Sequence, residues 1–465
     1  MTPLRKTKIL VTLGPSTFSK NMIWRLIRVG VNGFRLNFSH GTHEEKEKII
    51  RIIREIEEHK KLFIPIVGDL QGPVVRVGKI GDLTVKRGDT VYLINNEKGN
   101  AEKKEIPIPN ERLYSMIEEG DVVLIESGRV VLNVRNVLDF KIKAEVLVDG
   151  VIKSEKTLAI KNKDIPLPTL SEKDVQDVKF AVEKDLDYIG LSFVRTARDI
   201  KGLREILNSL GGENIRILSK IETRRGVENL RWIVKESDAI LVARGDLAIY
   251  YDLEKIPEVQ RNIVKTTREL GKPVLIATQL LDSMCENPVP SRSEVVDVVT
   301  AIREGVDALL LTGETAIGKY PVESVIWLSR IILEGEKSGI MEVEPKEEEL
   351  YDRFAHGIVQ LSESLEAKIA AYTRKGTTAY RLARYRPTNS VYAFTPMLKA
   401  ARQLGLLRGV KAYTIDETDP QKAFPKMIEF LKDKQEITLG DIVILTAGMT
   451  AGATDTIRVE KIGVS

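Results

Sequence analysis

The 465-residue chain is 43% hydrophobic and 30% charged, the composition of a globular protein too long for one core, so roughly two to four domains are expected. Its 71 basic and 67 acidic residues nearly cancel, and no basic tract is interleaved with aromatics, which argues against nucleic-acid partners. No stretch approaches the roughly 20 apolar residues of a membrane span, and the lone Cys285 excludes an internal disulfide and suits a reducing cytoplasm.

From the N-terminus, Met1-Thr-Pro-Leu-Arg-Lys-Thr-Lys8 runs straight into an apolar strand, so no signal peptide is expected. Short apolar runs then recur, each followed by an amphipathic stretch of helical period, the pattern of parallel βα units. The runs are Ile9–Leu13, Gly33–Phe38, Ile64–Leu70, Tyr188–Phe193, Ile215–Ile221, Ala239–Ala243, Pro273–Ala277 and Ala308–Thr312. The stretch His43–Lys60 shows the helical half of the pattern, with Ile49, Ile50, Ile53 and Ile56 on one stripe. These units predict an α/β protein built on a (β/α)8 TIM barrel, with residues 1–71 and 168–341 supplying the length of about 250 that such a barrel needs.

Residues 72–167 interrupt the barrel after its third strand. They carry Val, Ile and Leu strands separated by turn signals at Gly81-Asp82, Gly88-Asp89, Gly120-Asp121 and Asp149-Gly150, predicting an inserted all-β lid domain. The charged segment Glu342-Val-Glu-Pro-Lys-Glu-Glu-Glu349 marks the next boundary. Beyond it, residues 342–465 alternate strands and helices as a separate open α/β domain.

Polar residues at the carboxyl ends of barrel strands are the functional suspects, and those spaced by two share a face. Three strand ends break the apolar pattern in this way: Arg35, Asn37 and Ser39; Lys220 and Glu222; Arg244 and Asp246. Thr278 closes the seventh run, Thr312 the eighth and Asp69 the third, and Arg76 follows into the insertion. A structural plug of ion pairs would explain one such pair. Convergence from several strands instead points to a site. Glu222 and Asp246 are hard oxygen ligands, too few to cage calcium but sufficient for magnesium completed by water and substrate. Arg35, Arg76 and Lys220 supply the positive charge that a transferring phosphoryl group requires. Of the four histidines only His40 lies near a strand end, zinc has no ligand cluster, and Cys285 has no basic partner to activate it.

At this point the chain resembles a known family. Arg35-Leu-Asn-Phe-Ser-His40, Ser219-Lys-Ile-Glu222, Val242-Ala-Arg-Gly-Asp246, Ala277-Thr-Gln279 and Thr312-Gly-Glu-Thr-Ala316 resemble, in order and spacing, the signature segments of pyruvate kinase. The likeness extends through Pro168-Thr-Leu-Ser-Glu-Lys-Asp174 and Arg381-Leu-Ala-Arg-Tyr-Arg-Pro387, and is weakest in the inserted domain.

The resemblance implies phosphoryl transfer from phosphoenolpyruvate to ADP, giving pyruvate and ATP, with magnesium or manganese as cofactor, in a cytoplasmic homotetramer. It implies that Lys220 stabilises the moving phosphoryl group, that Glu222 and Asp246 hold the divalent ion, and that Gly245, Asp246 and Thr278 bind the substrate carboxylate. Arg35 and Arg76 would contact phosphates, Asn37 and His40 would lie near the nucleotide, and Thr278, Thr312 and water would deliver a proton. Asn37, Ser39, Asp69 and the Leu70 carbonyl match the family's monovalent-cation site. Potassium-dependent members carry glutamate immediately after the Gly-Pro that follows the third strand. Here that residue is Val74, where the potassium-independent branch usually has lysine. Leu70, Gln71 and Val77 resemble that prokaryotic branch, so potassium is expected not to be required. Thr196 stands where a nucleotide-phosphate lysine is expected, leaving Arg195 or Arg198 to supply the charge. In the C-terminal domain, Thr373-Arg374-Lys375-Gly376-Thr377-Thr378 joins a strand to a helix and offers hydroxyls, backbone N–H groups and two cations, a place for a phosphorylated effector. The competing readings are another metal-dependent barrel enzyme acting on phosphoenolpyruvate or pyruvate, and a catalytically silent metabolite sensor.

Overall fold

The structure, a computed structural model, describes residues 5–126, 128–139, 141–165, 167–346, 349–448 and 453–463. Met1-Thr-Pro-Leu4, and Glu347 and Glu348 of the charged boundary segment, lie outside the described residues.

Eight parallel strands close into a barrel: β1 (Lys8–Leu13), β2 (Gly33–Asn37), β3 (Ile66–Asp69), β4 (Tyr188–Leu191), β5 (Arg216–Ile221), β6 (Ala239–Ala243), β7 (Val274–Ala277) and β8 (Ala308–Leu311). Consecutive strands are neighbours, and β8 returns to pair with β1 through Lys8↔Ala308 and Val11↔Leu311. All six residues of β1 are buried, which is why parallel strands covered on both faces read as continuous apolar runs. Alternation sorts the side chains. Leu10, Val67, Leu218, Leu241, Leu275 and Leu310 fill the barrel interior, whereas Ile9, Val11, Ile217, Ile240, Val242 and Ile276 pack outward against the helices. The helix His43–Lys60 begins with a Thr42–Glu45 capping box, buries the isoleucine stripe noted above, and ends at Lys61 in the left-handed region.

The chain leaves the barrel after β3 and builds a mostly β unit before returning at β4. A seven-stranded sheet runs in the order Val75–Arg76, Thr157–Ile160, Val122–Ile125, Val130–Leu138, Lys141–Val148, Thr90–Ile94 and Glu105–Pro107. A second pair joins Gly150–Ile152 to Leu83–Val85. This unit has its own core, including Val91, Leu93, Ile106, Leu132, Ile142 and Val146. Its absence of barrel strands is confirmed by the register: β3 pairs directly with β4, Val67 opposite Tyr188.

The C-terminal domain is a five-stranded sheet in the order Val410–Thr414, Val391–Thr395, Lys368–Tyr372, Ile442–Ala447 and Thr456–Lys461, with only the last strand antiparallel. Separate apolar clusters cover its two faces. It caps the amino-terminal end of the barrel. Leu406, 1% exposed, joins the cluster inside the barrel base, and the Lys8 ammonium donates to the Val410 carbonyl at 2.7 Å.

Because Leu406 is buried in the cluster inside the barrel base, Leu406→Ala is expected to lower stability by about 2–4 kcal/mol, and Leu406→Met by less than about 1.5 kcal/mol. Urea unfolding of the three proteins, followed by tryptophan fluorescence, measures the difference.

Candidate active site

The carboxyl ends of the barrel strands and the β-rich insertion enclose a cleft of ≈ 400 Å³. Arg35, Asn37, Ser39 and His40 from the end of β2, Lys220 and Glu222 from the end of β5, Asp246 after β6, and Arg76 from the insertion all line it.

Lys220 is the centre of the arrangement. Its ammonium donates to the Ser192 hydroxyl at 2.7 Å and lies 3.0 Å from Glu222 Oε1 and 3.3 Å from Asp69 Oδ1. Burial alone would lower the Lys220 pKa, but Asp69 and Glu222 outweigh it and raise it, so the ammonium stays charged. Asp69 is buried too, which pushes its carboxyl up; Lys220 and Arg35 overcome that and hold it below the ordinary value. Arg35 donates from Nε to Asp69 Oδ2 at 2.6 Å and from Nη1 to the Thr12 hydroxyl at 3.0 Å.

Glu222 and Asp246 behave differently. Burial is the largest influence on both, and it raises both; proximity of the two carboxylates adds to the effect on Glu222, which reaches about 7. Two buried carboxylates facing each other favour sharing a proton or binding a cation. Glu222 Oε1 and Asp69 Oδ1 lack a well-aligned hydrogen-bond donor, while Glu222 Oε2 accepts from the Phe193 backbone N–H at 2.6 Å. Among the described residues no three His, Cys, Asp or Glu side chains form a complete metal cage. Two carboxylates with an open oxygen therefore fit an ion that takes its remaining ligands from water and substrate, as magnesium does.

The loop after β7 is under backbone strain. Thr278 and Gln279 are both left-handed, φ 70° and 52°, a region a β-branched residue rarely occupies. Arg244 holds them there, donating to the Thr278 carbonyl at 2.8 Å and the Gln279 carbonyl at 2.8 Å, and pairing with Asp297 at 2.6 Å. The alternation reading, which placed Arg244 beside Asp246, is thereby corrected. β6 stops at Ala243 and the helix Arg244–Tyr250 begins, so the period changes and Arg244 turns away from the cleft. The Gly245 N–H donates to the Thr278 hydroxyl at 2.8 Å. β8 is likewise one residue shorter than expected: Thr312 stands at the N-cap position of the short helix Gly313–Ala316 without a side-chain capping bond, and its N–H donates to Glu314 Oε2 at 2.8 Å.

Where the end of β2 faces the insertion, Ser39 N–H donates to Asn37 Oδ1 at 3.0 Å, and Arg76 is tied to the Glu155 carbonyl at 2.7 Å. Partial burial, then Arg76, Lys46 and Arg35, lower the His40 pKa. Asp69 and Leu70 sit behind this surface, and the Leu70 carbonyl accepts from the Ser192 hydroxyl at 2.8 Å. Thr196 caps a helix. Arg195 lines the cleft but spends its guanidinium on the Leu167 carbonyl at 2.7 Å, and Arg198 is exposed outside the lining. Sequence reasoning missed Ser192, Asp164 and Tyr250, which also line the cleft. Ser192 lay within an apolar run whose polar member carried no pairing signal.

The C-terminal loop divides. Arg374, Lys375 and Thr377 are exposed, whereas Thr373 and Thr378 are buried, and the Thr454 hydroxyl donates to that of Thr378 at 3.2 Å. Gly376, φ 91°, makes the turn into the helix Thr377–Ala383. The expectation that both helix-start threonines present hydroxyls outward is corrected for Thr378.

Residues 4–325 match the family model described as pyruvate kinase, barrel domain, and residues 352–460 match pyruvate kinase, alpha/beta domain. The chain is 37% identical to pyruvate kinase of Thermotoga maritima over 99% of its length and all of that relative's. It superposes on the crystal structure of pyruvate kinase from Pyrobaculum aerophilum with a TM-score of 0.91 at 35% identity, covering 98% of this chain and 100% of that one. The crystal structure of a Cryptosporidium parvum pyruvate kinase gives 0.91 at 31% identity, covering 98% and 96%. The barrel with its charged mouth, the β-rich insertion and the C-terminal sheet thus have one common source: the chain belongs to the pyruvate kinase family of phosphotransferases.

Proposed function

We propose that this chain transfers phosphoryl from phosphoenolpyruvate to ADP at the barrel mouth, and that Lys220 is the residue on which the transfer depends. The observation that carries this reading is a buried Lys220 ammonium held between Asp69 and Glu222 in the lining of the cleft. Positive charge preorganised in a water-poor site acts most strongly on charge that develops during reaction. Glu222 and Asp246 hold the divalent ion, magnesium or manganese. That ion, when bound, neutralises charge on the phosphoryl and enolate oxygens. The helix start at Gly245 and Asp246, with Thr278, binds the substrate carboxylate. Arg35 and Arg76 hold phosphates, Asn37 and His40 border the nucleotide, and a proton reaches the enolate carbon through Thr278, Thr312 and water. The reading includes a homotetramer, for which exposed Val289, Val296 and Ile317 offer apolar contact surface, and a cytoplasmic setting, which the single cysteine suits.

Coupled assay of pyruvate formation with ADP and magnesium tests the activity itself. Lys220→Met is expected to cut kcat by a factor equivalent to about 3–4 kcal/mol while changing phosphoenolpyruvate affinity far less. A variant within tenfold of the wild-type kcat excludes this role.

Potassium is not required in this reading, although Asn37, Ser39, Asp69 and the Leu70 carbonyl keep the ligand set. The charge of Asp69 is already matched by Arg35 and Lys220, and Val74 in the cleft adds no carboxylate to repel a polyanionic substrate. Titrating potassium chloride at constant ionic strength against a bulky organic cation, with magnesium saturating, is expected to change the rate by less than about tenfold, or 1.4 kcal/mol. Larger activation would make the cation site essential.

In the same reading a phosphorylated metabolite regulates the enzyme through Arg374, Lys375 and Thr377, supported by their exposure in the loop. Thr377→Glu is expected to abolish any response to such metabolites while leaving basal turnover intact; Thr378 is a poor target because its hydroxyl is engaged in the interior.

A further inference from the structure

Far from the cleft, the base of the barrel and the C-terminal domain enclose a second cavity, lined among others by Arg268, Lys272, Asp307, Tyr380, Arg384 and Arg386. Four cations therefore face one carboxylate. Asp307 is fully occupied: both its oxygens accept from Arg386 at 2.5 Å, and the Val274 and Arg408 N–H groups take further lone pairs. Arg384 pairs with Asp352 at 2.8 Å. That leaves Arg268 and Lys272 with backbone carbonyls alone, those of Glu304 and Met341 for Arg268 and that of Ser237 for Lys272. Arg268 is only 4% exposed. Burial, followed by repulsion from Arg386, pulls its pKa down to about 10.

Unfilled donors accompany the surplus charge. The Nε–H groups of Arg268, Arg384 and Arg386 are buried without an acceptor, and all three residues line the cavity. Buried guanidinium groups are ordinarily paired and their donors satisfied, since an unmatched one forfeits its hydration. The backbone makes room for them. A Cβ on Gly271 would fall 2.4 Å from Arg384 Nε, and one on Gly305 would fall 2.8 Å from Arg268 Cζ. Both glycines have positive φ, 67° and 82°. The free space is ≈ 10 Å³, room for one water-sized particle and too little for a tetrahedral oxyanion.

We propose that this cavity is a binding site for a single monatomic anion, chloride in the cell, held by the free Nε–H groups of Arg268, Arg384 and Arg386 and tying the barrel base to the C-terminal domain. Crystals soaked in sodium bromide should show an anomalous peak among these three side chains. In solution, replacing gluconate by chloride at constant ionic strength should raise the Tm by about 3 °C or more at roughly 0.5 M, although gluconate is the more generally excluded and stabilising anion. Arg268→Met should at least halve that gain, and Lys272→Met gives a second variant should the first not fold. Absence of bromide, or a chloride effect unchanged in the variants, overturns the site. Bromide density without chloride-specific stabilisation marks an adventitious ion only and overturns it equally.

Discussion

Everything at the barrel mouth depends on one requirement: the Lys220 ammonium must remain charged while hidden from water. Desolvating an ion costs several kcal/mol, and Asp69 and Glu222 recover that cost only because they approach from two directions. Asp69 comes from β3, Lys220 and Glu222 from β5, and Arg35, which balances Asp69, from β2. No local segment could assemble them. The closed parallel barrel brings these strand ends together, and the β-rich insertion supplies the facing wall of the cleft.

The two ends of the barrel solve the same problem with opposite emphasis. At the mouth, acidic groups outnumber what Lys220 neutralises, and Glu222 and Asp246 are left tuned toward a cation. At the base, arginines outnumber acids. A single strand touches both ends: Arg216 opens β5, donating to the Lys375 carbonyl at 3.2 Å and stacking on Tyr380, and Lys220 lies near the close of the same strand. The exposed C-terminal loop and the Lys220 ammonium are thus joined by one hydrogen-bonded, largely buried strand.

Legibility from sequence followed the reach of periodicity. The barrel strands were legible because burial on both faces leaves uninterrupted apolar runs, and the site because Arg35, Asn37, Lys220 and Glu222 interrupt those runs at intervals of two. Reading failed where the period changed. Arg244 is the first residue of a helix, so the alternation that placed Asn37 correctly sent Arg244 to the wrong face. The left-handed Thr278 and Gln279 were invisible, because the force holding them is an arginine distant in sequence. Thr378 was misjudged because its partner, Thr454, lies on another turn of the chain. The arginines of the base gave no signal of a shared cavity: Arg384 and Arg386 were legible only within the Arg381–Pro387 likeness, and Arg268 lies on a distant segment that only the folded domains bring to them.

The direct pairing of β3 with β4 has a consequence for how the chain reaches this state. Between those strands lies the whole β-rich insertion, so joining Asp69 to Gly190 would at first sight demand closing a very long loop. Loop-closure entropy rises only with the logarithm of length, and the insertion has a core of its own. Once that core has formed, its two connections emerge side by side, since Val75–Arg76 pairs with Thr157–Ile160. The closing loop then shrinks to residues 70–74 on one side and 161–187, which carry the helix Glu172–Glu183, on the other. Early collapse of the insertion would therefore act as a splint, bringing the third and fourth barrel strands to each other and turning a remote encounter into a nearly local one.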